Sequence, residues 1–440
     1  MSFSVCAEDT GYTIKTVKGS LAIDMTDKQD INNDMDIGTE QPVMLEEAVS
    51  ILLSRAEKIS DTEEVALRYA AGRVLAEDVC ATRDQPPFDR SPLDGYAVRA
   101  EDTKGASHES PVALKVITEV DAGVYYSGMV NAGEAVRIMT GAPIPAETDT
   151  VIGQEDTDYG EETVMIYEEM RPHQNYCYQG EDYKKGDVLL ASGDHIGPAE
   201  AGIIASTGKQ TVKVYRRPRV LLISTGDEVV MPGEELGEGR IYDSNLFTID
   251  SQLREWGVDV VDMLHSADDA KHLAAVIEDK LASADVVVTT GGVSVGKKDI
   301  MHVVFRLLGA ERLFWGVRIK PGMAMLAGTC NGKYILALSG NPYAAFANLH
   351  MVVRPVLDAL NGNDYLSMQR FEAVLMDDYG KSSPTRRFIR AYVNDGKAYI
   401  EGHTGGNGDI YSGHNANAML DIPAESGRLA AGDKVEVILL

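Results

Sequence analysis

The chain has 440 residues, 44% of them hydrophobic, which suits roughly three domains with buried cores. A formal charge of −27, from 68 acidic and 41 basic side chains, argues against nucleic-acid binding, which depends on clustered Lys and Arg neutralising phosphates. No apolar run approaches the roughly 20 residues of a membrane helix, no basic-then-apolar leader opens the chain, and the four cysteines (Cys6, Cys80, Cys177, Cys330) lack metal-ligand spacing, so a cytoplasmic protein with no membrane contact is expected.

Residues 1–41 are polar, acidic and aperiodic, which predicts a disordered acidic extension. Over 44–60, Leu45, Ala48, Val49, Leu52, Leu53 and Ala56 recur at helical spacing and predict an amphipathic helix. Mixed signals follow over 61–81, and the prolines of QPPFDRSP (85–92) prevent a regular element and mark a connection. Asp94 then sits beside Gly95 where a turn meets a strand, an ordinary place for a turn-forming Asp. Alternating stretches such as VALKVITEV and TVMIYEEM, broken by Gly and Pro, predict a small β domain over 111–169. Within 187–215, HIGPAEAGIIAS reads as a helix and KQTVKVY as a strand.

From residue 216 strands and helices alternate, which implies a doubly wound sheet whose ligand crevice lies beyond the carboxyl ends of the strands. PRVLLISTGDE (218–228) is an apolar run ending in a turn with Asp227 and Glu228. Asp243 or Ser244 of IYDSN can cap a helix starting near Leu246; a strand over 258–263 and a helix over 268–281 follow. The next strand, in ADVVVTTGGVSVGKK (284–298), has no polar alternation, as expected when both faces are covered. Its turn carries Gly291, Gly292 and Gly296, which let backbone amides face an anion, and Ser294, which adds a hydroxyl; a phosphate cradle and a plain tight turn both fit. Beyond 371, short alternating runs between glycine-rich turns predict a small β-barrel whose most basic spot is Arg386, Arg387 and Arg390, either a phosphate contact or solubilising charge.

STGDEVV, GRIYDSN, TTGGVSVGKKD, IKPG (319–322) and SGNP (339–342) together resemble the signature of the molybdopterin molybdenumtransferases, the MoeA and gephyrin E-domain family. GRVLAEDV, FDRSPLDGYAV, VRIMTGAPIP and GEDYKKGDVL extend the resemblance, in the family's order, from about residue 44 onward. It implies an α/β multidomain fold: a doubly wound, MogA-like molybdopterin-binding domain (42–60 and 216–362), an elongated discontinuous domain (61–87 and 181–215), a β lid (88–180) and a C-terminal β-barrel (363–440). A homodimer is implied too, because in the family the lid covers the sheet domain of a partner subunit.

The implied activity, in molybdenum cofactor biosynthesis, is insertion of molybdenum from molybdate (or tungsten from tungstate) into adenylyl-molybdopterin, releasing AMP. Mg²⁺ is the implied cofactor, and the molybdopterin adenylyltransferase the partner that would deliver the pterin. On an acidic chain two anionic substrates need a bridging cation, a phosphate cradle and carboxylates to hold the cation. The resemblance assigns the cradle to Gly291, Gly292, Ser294 and Gly296, and catalysis to Asp94, Asp182, Glu228, Asp299 and Lys320. Asp94, Glu228, Asp268 and Asp299 would ligate the metal, and Thr140, Asn341 and Pro342 would bind substrate.

Some positions depart from the family pattern. Cys177, Tyr178 and Gln179 stand where relatives carry arginines, Met323 where they carry a second lysine, Tyr343 and Ala344 where a small apolar residue and Ser follow GNP, and Gly413 near a common serine. Met323 is expected to weaken oxyanion binding by removing one charge near Lys320. Lost cations keep two other readings open: a non-catalytic pterin-binding or scaffold paralogue, and a nucleotide pyrophosphatase on the same sheet domain.

Overall fold

The structure, a computed structural model, describes residues 41–293, 300–362, 364–400, 402 and 406–440. The expected extension apart from Gln41, together with Ser294, Gly296 and Asp299, lies outside the described residues.

The valine run forms the strand Val286–Thr290, every residue of which is buried. It pairs in parallel with Arg219–Thr225 on one side and Lys333–Leu338 on the other. Alternation is present but hidden, because both faces are covered. Val220, Leu222, Val286 and Val288 pack against the helices Leu45–Leu53, Asn245–Glu255 and Arg354–Asn361, whereas Leu221, Ile223 and Val287 pack against Ala270–Lys280 and Met301–Leu308. The sheet is thus doubly wound, as expected.

It is not parallel throughout. Asp259–Ser266 extends the parallel set, but Leu326–Cys330 and Glu311–Trp315 close the other edge antiparallel. The reversal is a two-residue hairpin in which Asn331 and Gly332 take φ of 50° and 75° between the paired Cys330 and Lys333. Asn-Gly favours this turn because both central residues need positive φ.

Two helices are shorter than their patterns. The first ends at Leu53 because the chain turns away, and the Ile59 N–H reaches the Leu360 carbonyl at 2.9 Å. The helix expected from 268 starts at Ala270 because the Asp269 side chain caps it, accepting from the Lys271 and His272 amides. Asp268 is left in the preceding turn.

Pairing of Thr62–Ala66 with Thr211–Tyr215, and of Val79–Cys80 with Val188–Leu190, joins segments far apart in sequence. Between them lies the lid, a separate five-stranded sheet. The C-terminal strands close into a five-stranded barrel when Arg386–Asn394 pairs with Ala418–Ile422.

His350 lies in a π-helical turn, Leu349–Val353, fully buried between Trp256 and Phe346. Neither ring nitrogen has a partner among the described residues, and burial depresses its pKa to about 3. With the folded pKa below the unfolded one, the unfolded state takes the proton first as pH drops below about 6.5, so stability falls. Between pH 7 and 5 this one group is expected to remove about 2 kcal/mol. Urea unfolding of wild type and His350→Leu at the two pH values checks it; equal pH slopes would mean that His350 titrates normally.

Candidate functional site

The parallel strands bring their turns to one edge of the sheet. Gly226 follows Thr225 with φ 138°, and a Cβ there would lie 3.0 Å from a carboxylate oxygen of Glu228, whose exposed side chain folds back over the turn. Asp227 Oδ1 accepts from the Asp268 amide at 3.1 Å, tying this turn to the one after Asp259–Ser266. Gly291 and Gly292 take φ of 88° and 65°. A Cβ on Gly291 would meet the Thr225 carbonyl oxygen at 2.5 Å, and one on Gly292 would meet Ile300 Cγ1 at 2.9 Å. Only glycine fits this passage, as its sequence pattern suggested.

Gly291 also donates to the Leu338 carbonyl at 3.2 Å, which places the SGNP turn beside it. Asn341 is exposed there and Pro342 begins a short helix. The neighbouring Asp243, 5% exposed, accepts from the Leu246 amide at 3.0 Å through Oδ1, while Oδ2 has no partner among the described residues. The capping pattern led to Asp243 only as a structural residue; its free oxygen is visible only in three dimensions.

Asp94 belongs to the lid. Its Oδ1 accepts from both the amide and the hydroxyl of Thr140, at 2.7 Å each. These two bonds, the hydroxyl one foremost, hold its carboxyl below the usual range, so it stays ionised near neutrality. The strand behind it begins at Gly95, where a Cβ would collide with the Ile152 carbonyl oxygen at 1.9 Å. Asp182 has an exposed side chain and sits in the connection, its amide donating to the Gln85 carbonyl at 3.0 Å. Asp94 with Thr140 and Glu228 with Asp268 are therefore carried by different sheets. Among the described residues no three His, Cys, Asp or Glu side chains of the chain converge as metal ligands.

A cationic cavity lies elsewhere, at the seam between sheet domain and barrel. The short strand Ile319–Lys320 leaves the sheet domain and pairs in parallel with Arg386 and Arg387, setting Lys320 beside Arg387. A cavity of about 280 Å³ opens here, lined by Lys320, Tyr343, Lys381, Arg387, Arg390 and Asn407 among others. Arg390 is only 4% exposed. Its Nη1 donates to the Asp409 carbonyl at 2.7 Å and its guanidinium lies 4.1 Å from the Tyr343 ring centre. Nε and Nη2 have no partner among the described residues, nor has Arg387 Nε. Burial also lowers the Arg390 pKa, a cost that an anion in the cavity would offset.

The basic spot in the sequence thus divides. Arg386 turns away from the cavity and binds Asp421 through Nε and Nη2 at 2.6 and 2.5 Å, with Glu46 as a further partner. Tyr343 bridges the seam, donating its hydroxyl to the Phe388 carbonyl and its amide to the Asn407 carbonyl at 3.0 Å each. Met323, by contrast, is 51% exposed and is not among the residues that line this cavity, although it lies three residues from Lys320. Lys381 reaches the cavity from the barrel, and no spacing in the sequence pointed to it.

Three regions match family models: the MoeA N-terminal region (domain I and II) over 43–208, a probable molybdopterin binding domain over 221–359, and the MoeA C-terminal region (domain IV) over 372–440. Molybdopterin molybdenumtransferases from Staphylococcus epidermidis and Staphylococcus aureus are 33% and 34% identical over 408 residues, covering 92% of this chain and 97% of each relative. A solved molybdopterin biosynthesis MoeA protein from Pyrococcus horikoshii superposes with a TM-score of 0.77 at 32% identity, covering 91% of this chain and 100% of that one. With motifs, fold and three consecutive regions in agreement, the chain belongs to the MoeA family.

Proposed function

We propose that this protein is a molybdopterin molybdenumtransferase that inserts molybdenum from molybdate into adenylyl-molybdopterin and releases AMP. The observation that carries this reading is the cavity between Lys320 and the barrel, where Arg390 is buried with two donor atoms that have no partner among the described residues. A small tetrahedral dianion satisfies such donors without a side chain of its own. The tight passage at Gly291 and Gly292 sets the course of the turn proposed to carry the phosphate, and the departures at 177–179 leave this cavity's cations in place.

Carboxylates on separate sheets favour a homodimer in which Asp94 and Thr140 of one lid face Glu228 and Asp268 of another chain. A divalent cation such as Mg²⁺ would then be held across the interface, with Asp299 as a further donor. When bound, it supplies positive charge to the phosphoanhydride. Within one chain the described carboxylates do not gather around a cation, so no step of this reading passes through it. The chain's own groups place the substrates: Lys320, Arg387 and Arg390 hold the oxyanion, and Asp94, fixed by Thr140, presents an ionised carboxylate. Asp182 and Asn341, both exposed, complete the proposed walls together with Pro342. The molybdopterin adenylyltransferase is the proposed donor, and the cytoplasm the compartment, in keeping with three free cysteines among the described residues.

Purified protein is expected to release AMP from adenylyl-molybdopterin only when molybdate or tungstate is present. A scaffold paralogue would bind oxyanion without forming AMP, and a pyrophosphatase would cleave dinucleotides with no oxyanion at all. Either result would replace the reading.

A further inference from the structure

We propose that Lys381 is the second lysine of the oxyanion cavity, supplying from the barrel the charge that Met323 does not supply from the sheet domain. This rests on the oxyanion reading of the cavity and adds a residue that determines how tightly, and with what salt dependence, the anion is held.

Three observations support it. Lys381 lines the cavity with Lys320, Arg387 and Arg390, so the wall carries four cations, three of them from the barrel. The arch that bears it is anchored at both ends: Tyr379 and Leu429 exchange backbone hydrogen bonds at 2.8 and 3.0 Å, and Ser383 bridges Ser426. Arg387 Nη1 also donates to the Tyr379 hydroxyl at 2.8 Å, tying the arch to the cavity wall. Lys381 is thus held near the mouth by its backbone, while its exposed side chain stays free to swing onto an entering anion. The other candidate for this charge, position 323, lies half exposed outside the lining.

The buried group and the two exposed ones differ in what they contribute. Arg390, buried and planar, fixes an oxyanion in one orientation through paired donors. Lys381 and Lys320, both exposed, add a field that attracts the dianion and is screened by salt. The ligand class is therefore a compact dianion, and sulfate should compete with molybdate and tungstate on charge alone.

Titration calorimetry of molybdate and tungstate against wild type, Lys381→Met, Lys320→Met and Met323→Lys, at low and moderate salt, tests this. Lys381→Met is expected to weaken binding about two- to fivefold at low salt, the range of exposed charge pairs, with a smaller loss at moderate salt. Met323→Lys is expected to change affinity by less than about twofold, because its position lies off the wall. Lysine 381 is surface-exposed, so circular dichroism and the thermal midpoint should not move. If Lys320→Met weakens binding and Lys381→Met does not, the proposal is overturned while the cavity reading stands. If neither does, the cavity is not the oxyanion site and both fall. Tightening by Met323→Lys larger than the loss in Lys381→Met would also overturn the exchange of one lysine for the other.

Discussion

Mixing an Asp94→Asn chain with a Glu228→Gln chain is expected to restore about a quarter of wild-type turnover, although each variant alone loses about a hundredfold or more. Asp94 stands on the lid sheet and Glu228 on the doubly wound sheet, and the lid's strands pair only within their own sheet. If one site uses the lid of one subunit and the sheet domain of the other, a mixed dimer has one site with both lesions and one with neither. Random exchange puts about half of the chains into mixed dimers, each half active, hence about a quarter. Asp94 and Glu228 are both exposed, and the substitutions remove charge without creating a cavity, so thermal midpoints should stay within a few degrees of wild type. Activity that stays at the level of the separate variants, after exchange confirmed by mass-tagged chains, would place both carboxylates in one subunit's site. A monomer by light scattering that remains fully active would do the same.

Asp285→Ala is expected to lose about 3–5 kcal/mol of stability, because it removes the carboxylate that Arg216, Lys333 and the Arg219 amide share and leaves Arg216, among the described residues, only the exposed Asp61 as an ionic partner. Asp285 precedes the strand Val286–Thr290, at the end opposite the glycine turn, with its side chain 9% exposed. Arg216 grips it with Nη1 and Nη2 at 2.6 and 3.0 Å, Lys333 Nζ lies at 3.2 Å, and the Arg219 amide donates at 2.9 Å. Burial alone would raise its carboxyl pKa, but Arg216 and the Arg219 amide outweigh it and hold the value below the usual carboxylate range. A carboxylate depressed in the folded state contributes stability that is present above its unfolded pKa and is lost as pH falls through the folded one. The penalty of Asp285→Asn should therefore be large at neutral pH and shrink in acid. Urea unfolding at both pH values measures it, and a loss below about 1 kcal/mol at pH 7 would show an interaction of the exposed kind.

Local chemistry carried much of this protein into the sequence. The glycines at 291 and 292 are required by close backbone approach, the valine strand by burial on both faces, and the first helix by Leu45, Ala48 and Leu52 on one side. Such features depend on neighbours a few residues away, so residue type and spacing suffice to read them. The Asn331-Gly332 hairpin is equally local, a two-residue turn with positive φ at both positions, and it sets the antiparallel edge of the sheet. What only the tertiary structure decided is which side chains meet. Arg386, Arg387 and Arg390 look alike in sequence, yet Asp421 and Glu46 engage the first while the other two line a cavity with Lys320, some 70 residues earlier in the chain. Lys381 joins them because backbone pairing with Leu429 and Ser426 positions its arch, and Met323 leaves them although it is three residues from Lys320. Charge acts through space over several ångströms, whereas the sequence orders residues only along the chain, so the cavity could exist only once the barrel had closed against the sheet domain.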